Sequence, residues 1–236
     1  MKKKIAILQS NYIPWIGYFD IINSVDDFVI YDSVQYTKND WRNRNQIKTA
    51  NGPIWLTIPI ATSKSSTQSI REAKISDSNW TKKHWKSIEL GMVRSPHFEK
   101  FRDDWFSWYQ IASELDRLHD VNILFLNGIC EQFGISTKLV FDSDISYSGK
   151  TPSEKLVSIC ISLNADIYLT GPAGLNYLNK EVFTEKGIGI EVMQYQHYKS
   201  YNQLYGGYIQ NVTALDLLAN VGADSYSHLL GRTLVL

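Results

Sequence analysis

Ala6-Ile-Leu-Gln-Ser-Asn-Tyr-Ile-Pro-Trp-Ile-Gly-Tyr-Phe-Asp20 is the stretch that decides how the rest of the chain is read. An apolar run ends on Gln9, a polar and aromatic turn follows, and helical apolar spacing opens after Pro14. Lys4 to Gln9 therefore reads as a buried strand, and Gly17 to Val25 as a helix of about three turns. Asp27-Phe-Val-Ile-Tyr-Asp32 reads as a second buried strand ending on an acid. Strand, helix and strand within about 30 residues form a βαβ unit, parallel and right-handed. In open α/β sheets, ligands gather where a strand's carboxyl end meets the next helix. Gln9, Asn11, Tyr12, Trp15 and Tyr18 occupy that corner, and they suit a ring or a polar ligand. The corner has no histidine, cysteine or glycine-rich fingerprint, so it is expected to bind and orient, with proton transfer elsewhere.

Working outward, Ser33 to Asn45 is a polar loop dense in side-chain donors. Arg42 and Arg44 offer fork-shaped donors suited to phosphate or carboxylate, and Lys38 adds a point charge. Trp41 can stack on a base or sugar ring, with Gln35 and Asn43 interleaved. The alternative is a solvated loop whose charges pair locally. A hairpin is expected over Asn45–Ala50 and Ile54–Ile60, turning at Asn51-Gly52-Pro53. Pro59 places the second strand at an edge or a terminus. Thr62 to Ser69 is Ser/Thr-rich and reads as a surface loop.

Three helices are expected next. One is capped by Ser76, Asp77 or Ser78 and runs through Trp80, His84, Trp85, Ile88 and Leu90. Another starts at Ser95-Pro96, and a third spans about Ile111 to Phe133, ending before Gly134. Their many aromatics at helical spacing read as core. Alternation then returns: a strand at Lys138–Phe141, a helix at Pro152–Leu163 and a strand at Ala165–Thr170. Gly171-Pro-Ala-Gly174 turns into Leu175–Leu178, and Ile188–Met193 is the last strand. Thr213 to Asp216 resembles a capping box for a helix that Gly222 terminates. The expected architecture is a three-layer α/β fold with a mainly parallel sheet, Rossmann-like or nucleotidyltransferase-like. It carries a β-hairpin at about 45–60 and a helical insertion at about 77–134 within one domain, 1–236.

The bulk numbers narrow the function classes. Twenty-four basic residues balance 24 acidic ones, so the cationic footprint of a nucleic-acid binder is missing. Hydrophobic content of 44% fits a globular core. Cys130 and Cys160 lie in apolar helical stretches and read as buried free thiols. The apolar run Ile5–Leu8 is too short for a secretory signal, and nothing approaches the roughly 20 apolar residues of a bilayer span. A cytoplasmic protein is expected, and a homo-oligomer is compatible with it.

Chemistry has few places to reside. His197 follows a strand directly and is a candidate general base, or else a hydrogen-bonded loop histidine. Gly171-Pro-Ala-Gly174 can present backbone N–H groups to an anion, although any tight strand-to-helix turn needs such glycines. Asp142-Ser-Asp144 follows a strand and resembles an acid pair that holds a divalent ion, or is a chance loop triplet. His84 reads as packing beside Trp85. His97, His119 and His228 have no partner at metal-ligand spacing, so a zinc site is not expected and the site residues include no metal ligand.

The first half of the chain carries Gln9-x-x-Tyr12-x-Pro14-Trp15-x-Gly17-Tyr18-Phe19, Asp32-x-Val34-Gln35-Tyr36, Trp41-x-Asn43-Arg44-Asn45 and Trp55-Leu-Thr-Ile-Pro59. Tyr168-Leu-x-Gly171, Tyr177-Leu178, His197-x-x-x-Tyr201-x-Gln203 and Asp216-Leu-Leu-x-Asn-x-Gly222 follow. Together, and in this order, these blocks resemble the WbqC-like proteins. Tyr198 stands where the family usually has proline. The resemblance implies a place in bacterial surface-polysaccharide assembly, particularly of O-antigen. It implies a nucleotide-linked amino sugar as substrate; the sequence itself carries no motif for a tightly bound cofactor. An acyl or aminoacyl donor would supply the transferred group. On that reading Arg42, Arg44 and Lys38 hold phosphate while Trp15, Tyr12 or Trp41 stack on a ring. Gln9 and Asp32 orient the substrate, Tyr201, Gln203 and Gly171 line the site, and His197 takes a proton. The alternatives are a glycosyltransferase using Asp142 and Asp144 with a divalent metal, or a sugar-nucleotide binding protein without activity.

Overall fold

Five parallel strands make the frame, and a sixth closes one edge in the opposite direction. The computed structural model describes residues 2–61 and 67–236, so positions 62–66 of the expected Ser/Thr-rich loop lie outside the described residues. β1 (Lys4–Leu8), β2 (Asp27–Ile30), β5 (Lys138–Phe141), β6 (Ile167–Thr170), β7 (Gly189–Met193) and β8 (Thr233–Val235) form the sheet. Their spatial order is β5-β2-β1-β6-β7-β8, with only β8 antiparallel to its neighbour. β1 pairs with β2 on one side and β6 on the other, so the strand order reverses there. The adjoining carboxyl ends of such a sheet are where a crevice opens.

Alternation along β1 divides the core in two. Ala6 faces a cluster with α1 (Ile16–Asn23), α4 (Leu118–Phe133) and α7 (Ala214–Val221). Ile5 and Ile7 face the other way, onto α5 (Pro152–Ser162) and Phe183 of the short α6 (Lys180–Thr184). A Thr151–Glu154 capping box and Pro152 at the first turn start α5.

Between β2 and β5 the chain leaves the sheet. β3 (Arg44–Thr49) and β4 (Gly52–Thr57) pair only with each other, and α2 (Trp80–Met92) and α3 (Phe98–Ala112) precede α4. Ile47, Leu56, Phe98, Trp105 and Phe125 join the cluster that holds α1. The hairpin register puts Thr49 opposite Gly52, so Ala50-Asn51 is the turn and Pro53 sits inside β4, opposite Lys48. That is one residue earlier than Asn-Gly turn chemistry suggests, with Gly52 taking the positive φ of +97°.

The third expected helix is corrected at its start. Ile111 lies in the last turn of α3, which ends at Ala112, and α4 begins only at Leu118. Between them the Ile75 amide donates to the Asp116 carbonyl at 2.8 Å, and the Leu118 amide to the Ala73 carbonyl at 2.9 Å. Residues 113–115 still bond back into the last turn of α3, and pairing of 116–118 with 73–75 then interrupts the helix even though the apolar spacing continues. Asp77 does not cap α2 with its side chain but accepts from the Asn79 amide at 2.9 Å. Gly134 ends α4 at φ +73°, in the left-handed region. Burial lifts both free thiols, Cys130 and Cys160, to about 12.

Candidate functional site

The loop between β1 and α1 sends successive residues in different directions. Gln9 turns its amide into a cavity, where its Oε1 accepts from the Arg42 guanidinium, and its carbonyl accepts from the Tyr18 hydroxyl at 2.8 Å. Ser10 points the opposite way. Its amide donates to Asp32 Oδ1 at 2.8 Å and its hydroxyl to Asp32 Oδ2 at 2.6 Å. Tyr12 is fully buried, its hydroxyl 2.5 Å from that of Tyr109 and 2.9 Å from His84 Nδ1, with Trp80 and Phe125 edge-on. It has no exposed ring face for a ligand. Ile13 holds φ at +36°, a costly backbone for a β-branched residue, where Asn45 donates to its carbonyl at 2.8 Å.

A cavity of about 600 Å³ opens at the carboxyl ends of β1 and β6. Gln9, Asn11, Trp15, Tyr18 and Arg42 form one wall, and Tyr168, Thr170, Gly171 to Gly174 and Tyr195 form another. Pro152, Lys155 and Leu156 of α5 close a third side. Among the described residues Arg42 and Lys155 are the charged side chains of the lining, with no carboxylate, histidine or cysteine. Arg42 keeps its orientation through Asp40, 2.9 Å away. Trp15 packs edge-on against Tyr195, with ring centroids 4.9 Å apart. Gly174 lies against Thr170 Oγ1, where a Cβ would collide, so packing alone requires that glycine. Burial pushes the Tyr168 hydroxyl up to about 12.

One strand over, beyond β2 and β5, the same edge is closed by polar contacts. Asp32, fully buried, accepts from Ser10 twice and lies 2.7 Å from His119 Nδ1. Asn122 donates to the Ser10 hydroxyl at 3.0 Å and to the Arg42 carbonyl at 3.0 Å, tying this cluster to the cavity wall. Asp142 accepts from the Ser33 amide at 3.0 Å and from Arg71 at 2.5 Å. Asp144 is exposed beside Ser143. Among the described residues no three His, Cys, Asp or Glu side chains converge as metal ligands.

The other sequence candidates spread out. Gln35 and Lys38 are exposed, Gln35 in an isolated bridge to Ser69. Trp41 and Trp55 rest against each other at 5.4 Å, with Arg44 stacked 4.3 Å over Trp55. Asn43 is buried and donates to the Ile58 carbonyl at 2.9 Å. Tyr201 donates to Asp216 at 2.8 Å, and Gln203 to Tyr201 and the Ile209 carbonyl. Lys48 reaches Gln203 and the Gly206 carbonyl, so this group fastens the 201–210 loop to β3 and α7. Burial raises the Asp216 carboxyl above the usual range. His197 is exposed just past Tyr195 and lines no described cavity. Sequence reading passed over Ser10, His119 and Lys155. His119 and Asn122 are three apart on one helix, hence on one face, which was the available signal.

A mostly parallel α/β sheet with a cavity at its carboxyl edge, beside a helical insertion between the second and third parallel strands, defines the class of protein. The WbqC-like protein family matches residues 9–228, and the chain belongs to that family. It is also 42% identical over 228 residues to an uncharacterized protein of Mycobacterium tuberculosis, an alignment covering 96% of this chain and 97% of that protein. Among the described residues no helix is long and apolar enough to cross a membrane.

Proposed function

We propose that the protein binds a nucleotide-linked amino sugar in the large cavity and acylates the sugar's amine, in bacterial surface-polysaccharide assembly. The observation that carries the binding half is the lining itself: two cations, no carboxylate and several aromatic rings at the point where strand order reverses. Such a wall favours a diphosphate beside a flat ring. The acylation half rests on the family's expected context. In that step the amine nitrogen attacks the acyl carbonyl and a C–N bond forms. The bond from that carbon to the donor's leaving group breaks, and the amine's proton departs to a base. His197 is the base implied by the family blocks; His119, held by Asp32, is the other imidazole at this edge.

A mass-spectrometric assay with nucleotide-linked amino sugars and acyl or aminoacyl thioesters tests the reading. A sugar product heavier by the acyl group supports it, and His197→Ala and His119→Ala then separate the two imidazoles. One observation favours a second reading, a sugar-nucleotide binding protein without chemistry: neither imidazole lines the cavity. Saturable binding without any mass change would support that one.

A further inference from the structure

Beside the large cavity lies a second of about 250 Å³, lined by Asn11, Pro14, Trp15, Trp41, Asn45 and Asn211. Asn11 and Trp15 belong to both linings, so the two spaces are separated by a partition of two side chains. The chemistry changes across it. The large space has Arg42 and Lys155, whereas the described residues that line the small one bring no charged group, only amides, indoles and a proline. Asn45 is spent on the backbone, donating to the Ile13 carbonyl and accepting from the Gln46 amide. Asn11 is not spent: like Asn43 and Asn122, it has a buried Oδ1 without a hydrogen-bond partner among the described residues, and of these three only Asn11 lines the small cavity. An orphaned buried acceptor costs about 1–3 kcal/mol, so it calls for a ligand donor or water. Asn211 is exposed, and Trp41 keeps 41% of its surface exposed.

We infer that the small cavity is a subsite for the sugar ring of the proposed substrate, bound with its amine unprotonated, next to a nucleoside diphosphate in the large one. Sugar rings have apolar C–H faces and hydroxyl rims. Indole walls take the faces, and amides, which both donate and accept, take the rims. The charge-free lining disfavours an ammonium, so it takes the sugar as the free amine that attacks the acyl carbonyl, and leaves the diphosphate to Arg42 and Lys155. Asn11 and Trp15, on the partition, then touch both halves of one ligand. The inference rests on the proposed nucleotide-linked substrate and adds where its sugar goes and what reads it.

The test is calorimetric titration of the full chain with UDP, dTDP and GDP, each alone and linked to a hexose, for the native protein and for Asn211→Ala and Trp41→Ala. A nucleotide-hexose should bind at least tenfold tighter than its nucleotide. Either variant should reduce that advantage at least threefold while leaving nucleotide affinity unchanged. Equal loss for nucleotide and nucleotide-hexose, or no loss, overturns the subsite while the nucleotide reading stands. If no nucleotide binds, that reading fails, and methyl glycosides decide the subsite separately. Saturable glycoside binding lost in Asn211→Ala retains it, and no glycoside binding overturns it.

Discussion

At the junction of β1 and β6 the strand ends open into a cavity walled by aromatic rings and two cations. One strand over, at β2 and β5, the same edge is filled by Asp32 bonded to Ser10 and His119, Asn122 bonded to Ser10, and an Arg71–Asp142 pair. Both corners draw on one loop, since Gln9 faces the first and Ser10 the second. The contrast separates two tasks that residue type alone does not distinguish. A buried carboxylate that has satisfied donors around it fixes geometry, whereas a cation with spare donors beside open space can meet a ligand. Asn122 couples the two by holding the backbone of Arg42.

The contrast can be broken most forcefully at Asp32. Asp32→Ala leaves two Ser10 donors and His119 without their acceptor and should cost about 3–5 kcal/mol of stability in a denaturant titration. A loss under 1 kcal/mol would mean that the closed corner does not hold the loop. On the open side, Arg42→Gln should weaken nucleoside diphosphate binding by about 10- to 100-fold, since bonds to charged groups contribute about 1.5–3 kcal/mol. An unchanged dissociation constant would remove Arg42 from the binding wall.

A third effect comes from behind the loop, at His84. Burial holds its pKa down at about 3, against 6.5 for the ordinary imidazole. The unfolded chain therefore takes up the proton first. The contribution is fully present above pH 6.5 and is lost as pH falls from there toward 3. Stability at pH 5 should be lower by about 2 kcal/mol for this group, a drop missing in His84→Gln. The smallest effect is expected at Tyr18→Phe, which deletes the bond to the Gln9 carbonyl. About 1 kcal/mol of stability should go, with the Gln9 amide still in the cavity.

Much of this edge was legible in the chain. The run from Ala6 to Asp20 defines strand, loop and helix because its apolar spacing changes from a short run to a helical stripe at Pro14. Local spacing cannot show which way a loop residue turns. Tyr12 and Trp15 are equally good ring binders on paper, yet one is sealed against Tyr109 and the other stands in both cavity walls. His119 shares a helix face with Asn122, but spacing could not name its partner, because Asp32 is 87 residues away in the chain. The break before α4 was invisible because long-range bonds to 73–75 decide it. β8 was likewise missed: three residues paired to β7 give no periodicity to read.

Lys155 gives the most direct test of the open corner. It is exposed on α5 and has no ion pair among the described residues, so replacing it should leave folding intact. Titration of Lys155→Glu with UDP, dTDP and GDP against the native protein should show at least a tenfold loss for the nucleotide that binds, at unchanged thermal stability. Equal affinity in the variant would contradict a diphosphate seated between Arg42 and Lys155.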